Sequence, residues 1–304
     1  MSTSSRLVSG RVLKIVAGTY HVRTDEGILQ CSLRGRAKRG EDTVAVGDVV
    51  RVERLGDGSC RIRERLRRTS ALTRHSVARR REQVIAANVD QVASVVAVAS
   101  PAPDLSLVDR LLVLAELDGL TGFVVANKCD LLARDAPLPE EFAPYADAGY
   151  EVVPTSAVDG TGLETLAAHL SGHITVFVGP SGVGKSSLLN ALDPDLDLRV
   201  GELGRNDLRG RHTTVAATFH PFGGDGYVVD TPGLQYLKPW EADPQALSQA
   251  FPEIRSLSAH CRFADCRHVS EPDCAVIADL RVGKVDPRRY RTYRALLAAA
   301  EQDS

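Results

Sequence analysis

Short alternations of apolar and polar residues fill the first 77 positions of the chain. Arg11–Val16, Tyr20–Arg23, Ile28–Leu33 and Val49–Val52 read as strands. Gly18, Asp25-Glu26-Gly27, Gly47-Asp48 and Gly56-Asp57-Gly58 separate them as turns. About five short strands in this length predict a small closed barrel, an OB-fold first and an SH3-like barrel second. The Arg-rich stretch Leu66–Gln83 reads as a linker with a helical portion. The pattern then changes. Gln91–Ala99, Gly122–Ala126, Glu151–Val153, Ile174–Val178 and Tyr227–Val229 are apolar, β-branched runs, while Leu105–Leu117 and Leu163–Leu170 have helical spacing. Buried parallel strands with crossover helices have this signature. After Pro239 the pattern is helical, interrupted by a cluster of cysteines and a histidine. The expected organisation is an OB-fold β-barrel over 1–77, an α/β core over 78–239 and a small α-helical domain over 240–304.

The runs of the core end in residues with recognisable chemistry. Gly179-Pro180-Ser181-Gly182-Val183-Gly184-Lys185-Ser186-Ser187 follows the strand ITVFV and opens the helical run SSLLNAL. It fits G-x-x-x-x-G-K-[ST] at every fixed position, in the strand-to-helix setting this phosphate loop requires. Its glycines let backbone N–H groups wrap phosphates, and the helix start adds a positive dipole end. Lys185 is expected on the β- and γ-phosphates and Ser186 on Mg²⁺. Asn127-Lys128-Cys129-Asp130 fits N-K-x-D after the strand at 123–126. The Asp130 carboxylate can accept from guanine N1–H and the 2-amino group, whereas adenine offers an acceptor at N1 and no 2-amino group. Asn127 is expected to tie neighbouring loops and Lys128 to lie along the base. Thr155-Ser156-Ala157 resembles the loop whose backbone N–H meets guanine O6. Asp230-Thr231-Pro232-Gly233 fits D-x-x-G, with Asp230 near Mg²⁺ and the Gly233 N–H near the γ-phosphate. Thr213 or Thr214 is the expected switch threonine on Mg²⁺, Thr214 being favoured. All these segments sit at strand ends, where open α/β sheets bind ligands. Their order is unusual: the base-reading loops precede the phosphate loop, so the core is circularly permuted relative to ordinary GTPases.

Cys261, Cys266, His268 and Cys274 offer three thiolates and an imidazole within one short segment. Four such ligands close a tetrahedral Zn²⁺ shell and leave no open position for chemistry, so the site is expected to be structural. A small helical domain has little core, and a metal supplies folding energy.

Charge adds a partner. The net charge of −2 is the sum of +10 over residues 1–85 and −12 over the remainder. A basic barrel on an acidic body reads as a docking surface for a polyanion, foremost nucleic acid. Arg34, Arg36, Lys38 and Arg39 form one candidate cluster, and Arg61, Arg63, Arg65, Arg67 and Arg68 another. Tyr20 is the one aromatic residue among the first 120. Base stacking is therefore not expected, and structured RNA read by shape and phosphate contacts is. For Arg288, Arg289, Arg291 and Arg294 the first reading is an exposed helix face. No run reaches the ~20 apolar residues of a membrane span, and no apolar signal core is seen near residue 1, so a cytoplasmic protein without membrane partners is expected; a monomer is the separate expectation for its assembly.

With these motifs in view, the chain resembles the circularly permuted GTPases, and within them the ribosome small-subunit-dependent GTPase family (RsgA, also called YjeQ). The resemblance covers essentially the whole chain. It rests on the permuted motifs, the run Gly210-Arg211-His212-Thr213-Thr214, the N-terminal barrel and the zinc spacing. It implies binding of GTP and GDP, action in late maturation of the small ribosomal subunit through its rRNA, and GTP hydrolysis stimulated by that subunit. One catalytic part departs from Ras-like proteins. Leu234 stands where they place a water-orienting Gln, and it cannot orient water. His212 is the nearest replacement and the resemblance favours it, a histidine packed in the loop being the alternative. Gly182 stands where potassium-using relatives carry an Asn. Leu234 also keeps open a GTP-regulated RNA-binding switch with negligible turnover. The short run from Asp230 to the zinc segment suggests that loss of the γ-phosphate tilts the zinc domain.

Overall fold

A computed structural model describes residues 7–33, 43–76, 81–198, 217–231 and 243–302. The chain divides into two compact units. One comprises residues 1–90, 170–176 and 206–233, the other residues 91–169, 177–205 and 234–304.

In the first unit, β1 (Leu7–Val16), β2 (Thr19–Thr24), β3 (Gly27–Leu33), β4 (Val49–Arg54) and β5 (Cys60–Arg65) close a barrel in the order β1-β2-β3-β5-β4. All neighbours are antiparallel except β3 and β5, whose parallel register sets Cys31 opposite Cys60. This connectivity fits the OB-fold expectation. The alternation seen in sequence is the cause of closure: Val12, Val22, Val50, Val52 and Ile62 point inward and are buried.

The described residues of Leu66–Gln83 form no helix. β6 (Ala71–Ser76) and β7 (Arg81–Ala87) form an antiparallel hairpin, with Leu72 opposite Ala86 and both fully buried. The arginines mask a strand signal that the apolar end of β7 carries. A second hairpin, β12 (Thr218–Phe222) with β13 (Gly226–Asp230), also lies in this unit. Only β13 was expected; β12, which pairs with it antiparallel, was not.

The α/β sheet has the strand order β10-β9-β8-β11-β13-β12. Its parallel part includes β8 (Gln91–Ala97), β9 (Thr121–Asn127) and β10 (Val152–Pro154). β8 is buried at every position, which explains its unbroken apolar run. β11 (Ile174–Val178) is likewise buried throughout. α1 (Leu105–Leu117) and α3 (Leu163–Leu170) match the sequence reading, with the short α2 (Ala143–Asp147) between them. The Asp104 side chain caps α1 by accepting from Leu107 N at 3.0 Å. α4 (Lys185–Leu192) follows β11.

α5 (Pro244–Gln249), α6 (Pro252–Ser258), α7 (Ala275–Arg281) and α8 (Pro287–Gln302) complete the second unit. Their core gathers Leu247, Phe251, Ile254, Val276, Tyr293 and Leu297, and reaches Val113 of α1. The arginines of α8 divide. Arg291 and Arg294 are exposed as expected, but Arg289 is 1% exposed and Arg288 half-buried. Both reach the fully buried Asp109 of α1: Arg288 Nη1 donates to its oxygens at 2.8 and 2.9 Å and Arg289 Nη1 at 3.2 Å. Arg289 also makes two bonds to Glu253, at 2.6 and 3.0 Å. The run reads as a solvated face because nothing in the local sequence reveals carboxylates 36 and 180 positions away.

Candidate functional site

In the second unit three strand ends converge. The phosphate-loop candidate links β11 to α4, the N-K-x-D segment leaves β9, and Thr155-Ser156-Ala157 leaves β10. Asn127 joins them. Its side chain is 1% exposed, donates from Nδ2 to the Val183 carbonyl at 2.8 Å and accepts from Thr155 Oγ1 at 3.2 Å. Gly184 is required at this crossing. A Cβ there would stand 2.5 Å from Asn127 Nδ2, and φ of +95° is a left-handed conformation. The loop backbone can therefore lie directly against the base-reading segment.

Lys185 begins α4 almost completely buried, its Nζ donating to the carbonyls of Gly179 (2.7 Å) and Pro180 (2.9 Å). These bonds hold a cation inside the loop hollow, where a polyphosphate would need it. Ser186 is buried, Ser187 and Pro180 half-buried, and Ser181 and Gly182 lie exposed on the loop surface.

On the base-reading side Lys128 adopts a left-handed backbone (φ +66°), and its ammonium donates to the Ser100 carbonyl. Its Cε passes 3.7 Å from the Cβ position of Gly184, so the side-chain stem borders the phosphate loop. Asp130 is half-buried, and Ser156 Oγ donates to its Oδ1 at 2.7 Å. Ser156 is fully buried and accepts from the Val158 and Asp159 N–H groups at 3.1 and 3.3 Å. One carboxylate oxygen is thus fixed while the group keeps acceptor capacity for a ligand. Ala157 is half-buried in the same turn. Burial pushes the Cys129 thiol above its ordinary pKa, as expected of a packing residue rather than a nucleophile.

Asp230 closes β13 in the first unit, opposite Thr218 and half-buried. His212, Thr213, Thr214, Gly233 and Leu234 lie outside the described residues, as do Arg34, Arg36, Lys38 and Arg39. Of the second basic cluster, Arg68 is committed internally. It grips the buried Asp48 with two bonds of 2.7 Å, while Arg63 pairs with Glu53 at 3.1 Å.

Cys261, Cys266, His268 and Cys274 converge with their ligand atoms within 4.8 Å of one another. Cys261 Sγ and Cys274 Sγ are 3.9 Å apart, and each is 3.5 Å from His268 Nδ1. A tetrahedral zinc with bonds of about 2.3 Å to sulfur and 2.0–2.1 Å to nitrogen requires edges of roughly 3.8 and 3.5 Å. The donor set fits that ion. Burial and the neighbouring thiols push the Cys266 pKa up to about 12, a cost that a bound cation removes.

Two further residues build this centre and carry no sequence signal of doing so. Ser258 Oγ lies 3.1 Å from His268 Nε2 and donates to the Ile254 carbonyl at 2.8 Å, which leaves Nδ1 as the ligand nitrogen. The Glu271 carboxylate accepts from the backbone N–H groups of Arg267 (2.8 Å), Val269 (2.8 Å) and Ser270 (3.0 Å). Those bonds hold its pKa down at about 2 against the burial that raises it. Tyr290 and Tyr293 donate to the carbonyls of His268 and Arg267, tying the loop to α8.

A family model described as the RsgA GTPase matches residues 65–240, and one described as the RsgA N-terminal domain matches residues 9–62. The chain is 41% identical over 300 residues to the small ribosomal subunit biogenesis GTPase RsgA of Gemmatimonas aurantiaca, covering 96% of each chain. To the protein of the same name from Caldanaerobacter subterraneus subsp. tengcongensis it is 37% identical over 295 residues, 97% of this chain and 96% of the relative. Among solved structures it is similar to YjeQ from Thermotoga maritima, with a TM-score of 0.79 and 35% identity over 97% of this chain and 99% of that one. It is also similar to YloQ, a circularly permuted GTPase, with a TM-score of 0.75 and 28% identity over 100% and 98% of the two chains.

Proposed function

The chain belongs to the RsgA family of GTPases, and on that premise we propose that it binds the small ribosomal subunit late in its maturation and hydrolyses GTP when stimulated by it. The observation that carries the nucleotide half is Asn127, one buried amide that locks the N-K-x-D, Thr155 and phosphate-loop segments together. Asp130 reads guanine, with Lys128 along the base and the 156–157 turn presenting a backbone N–H to O6. The loop 179–187 wraps the phosphates and Lys185 neutralises their charge. Ser186, Thr214 and Asp230 hold Mg²⁺, which supplies further neutralisation of the phosphate oxygens. Thr213 flanks that contact, Gly233 senses the γ-phosphate, and His212 orients the attacking water in place of the side chain Leu234 lacks.

Zinc fills the Cys261, Cys266, His268, Cys274 centre, one ion per chain, in a structural role. The functional modules are the barrel over 1–77, which contacts rRNA, the permuted GTPase core over 78–239 and the zinc domain over 240–304. The protein acts in the cytoplasm as a monomer, without a membrane partner. Among the described residues no helix is long and apolar enough to cross a membrane. Turnover of GTP with and without purified small subunits, with Lys185→Ala as the blank, tests this reading.

A further inference from the structure

The β12–β13 hairpin occupies a particular place in the chain. Thr213 and Thr214 lie just upstream of Thr218, Asp230 is its last residue, and Gly233 follows three positions later. It is the stretch between the two segments assigned above to the γ-phosphate and Mg²⁺. The hairpin belongs to the same compact unit as the barrel.

The seat is specific. β12 packs on β1 of the barrel. Phe219, 2% exposed, lies against Gly47: a Cβ at Gly47 would stand 2.4 Å from Phe219 Cζ and 2.2 Å from the Ala87 carbonyl. Gly47 has φ of +90°, so both space and backbone exclude a side chain there. Its N–H donates to the Val12 carbonyl at 2.8 Å, and its carbonyl accepts from Arg11 Nη1 and Asn88 Nδ2, each at 3.0 Å. The same Arg11 guanidinium stands 5.3 Å from the ring centroid of Tyr227 on β13, a cation–π contact. Phe219 and Tyr227 touch each other with centroids 5.9 Å apart. Two rings of the hairpin thus grip β1 and the 47–48 turn, and Arg68 braces that turn through the buried Asp48.

We propose that this hairpin is the rod that carries nucleotide state to the barrel, through Phe219 on Gly47 and Tyr227 on Arg11. The proposal rests on the reading of Thr213, Thr214, Asp230 and Gly233 given above. Loss of the γ-phosphate releases the contacts at both ends of the hairpin, and order–disorder or displacement of such segments is the usual switch. Because the hairpin and barrel pack as one body, the barrel responds with it. Linkage makes the effect reciprocal: a ligand held by the barrel changes the preference between GTP and GDP. The sequence alone pointed the switch at the zinc domain, because β12 and its packing on β1 were not visible there.

Hydrogen exchange of the full chain, with GDP and with a non-hydrolysable GTP analogue, tests this. The wild type should show nucleotide-dependent protection in the hairpin and also in β1 and residues 43–48, differing by about fivefold or more. In Tyr227→Leu and Phe219→Leu the hairpin should keep its difference while that of β1 falls below about twofold, with both nucleotide affinities within about twofold of wild type. Tyr227 is partly exposed, so its variant carries the test should Phe219→Leu fail to fold. Identical exchange of β1 with the two nucleotides in the wild type, or a full difference retained in folded variants, overturns the proposal. Failure of the wild type to bind either nucleotide is read separately in a fluorescent-nucleotide titration; it overturns the site assignment and the coupling with it.

Discussion

Arg289→Met removes a guanidinium that the fold has taken wholly out of water. The group donates twice to Glu253 and once to Asp109, and lies 5.4–5.5 Å from the ring centroids of Tyr145, Tyr150 and Phe251. Removing one member of a buried ionic set costs about 3–5 kcal/mol, because the partner charge is left uncompensated. The lower end applies here. Asp109 keeps Arg288 and Thr292 Oγ1, the latter at 2.9 Å, and Glu253 has a side chain 14% exposed to water. A loss of about 3 kcal/mol corresponds to a fall of roughly 6–12 °C in Tm for a unit of this size. Thermal unfolding followed by circular dichroism, at fixed zinc and nucleotide, measures it. Glu253→Met added to Arg289→Met should recover about 1 kcal/mol or more, because an apolar replacement of both partners leaves no stranded charge. A fall below about 2 °C for the single variant, or a double variant less stable than the single, would refute the view that this pair clamps α8 and α6.

Three further outcomes follow from the sites. Asp130→Asn replaces an acceptor by a donor at the guanine edge and should weaken GTP by about 2–3 kcal/mol, roughly 30–150-fold, while improving xanthosine triphosphate, in which a carbonyl replaces the 2-amino group; unchanged preference in a competition titration would exclude Asp130 as the base reader. Metal analysis should return one zinc per chain, and a chelator should lower far-UV helicity and open residues 261–274 to protease, an effect smaller at higher pH because thiol deprotonation favours the bound ion. Glu271 has a folded pKa of about 2 against an ordinary 4.5. Its contribution is therefore complete above the ordinary value and is lost as pH falls from about 4.5 towards 2. Glu271→Gln should flatten that acid limb in a pH series of unfolding midpoints, and an unaltered slope would remove the carboxylate from the account.

What the sequence made legible followed physical rules that act locally. The barrel strands announced themselves because inward and outward residues alternate, and β8, β9 and β11 because a covered sheet needs apolar residues on both faces. Leu105–Leu117 was visible as a helix from its spacing, and the Asp104 cap came to light only in the structure. The phosphate loop, the N-K-x-D segment and the Cys/His cluster were visible because their chemistry demands fixed residues at fixed intervals. The losses have equally specific causes. β12 hides because His220 and Pro221 break its alternation, and it is held by pairing with β13 rather than by propensity. β6 and β7 hide behind arginines. Arg289 looked solvated because its partners, Glu253 and Asp109, are distant in sequence. Ser258 and Glu271 serve the metal centre through bonds that only the folded loop defines.

The most direct test of the central claim is GTP turnover by the purified protein with and without purified small ribosomal subunits, with Lys185→Ala as the blank. Slow turnover alone, strong stimulation by the small subunit, none by the large subunit and none in Lys185→Ala is the predicted result. Turnover unaffected by the small subunit while GTP-dependent binding to it persists would contradict the account and leave a nucleotide-regulated binder in its place.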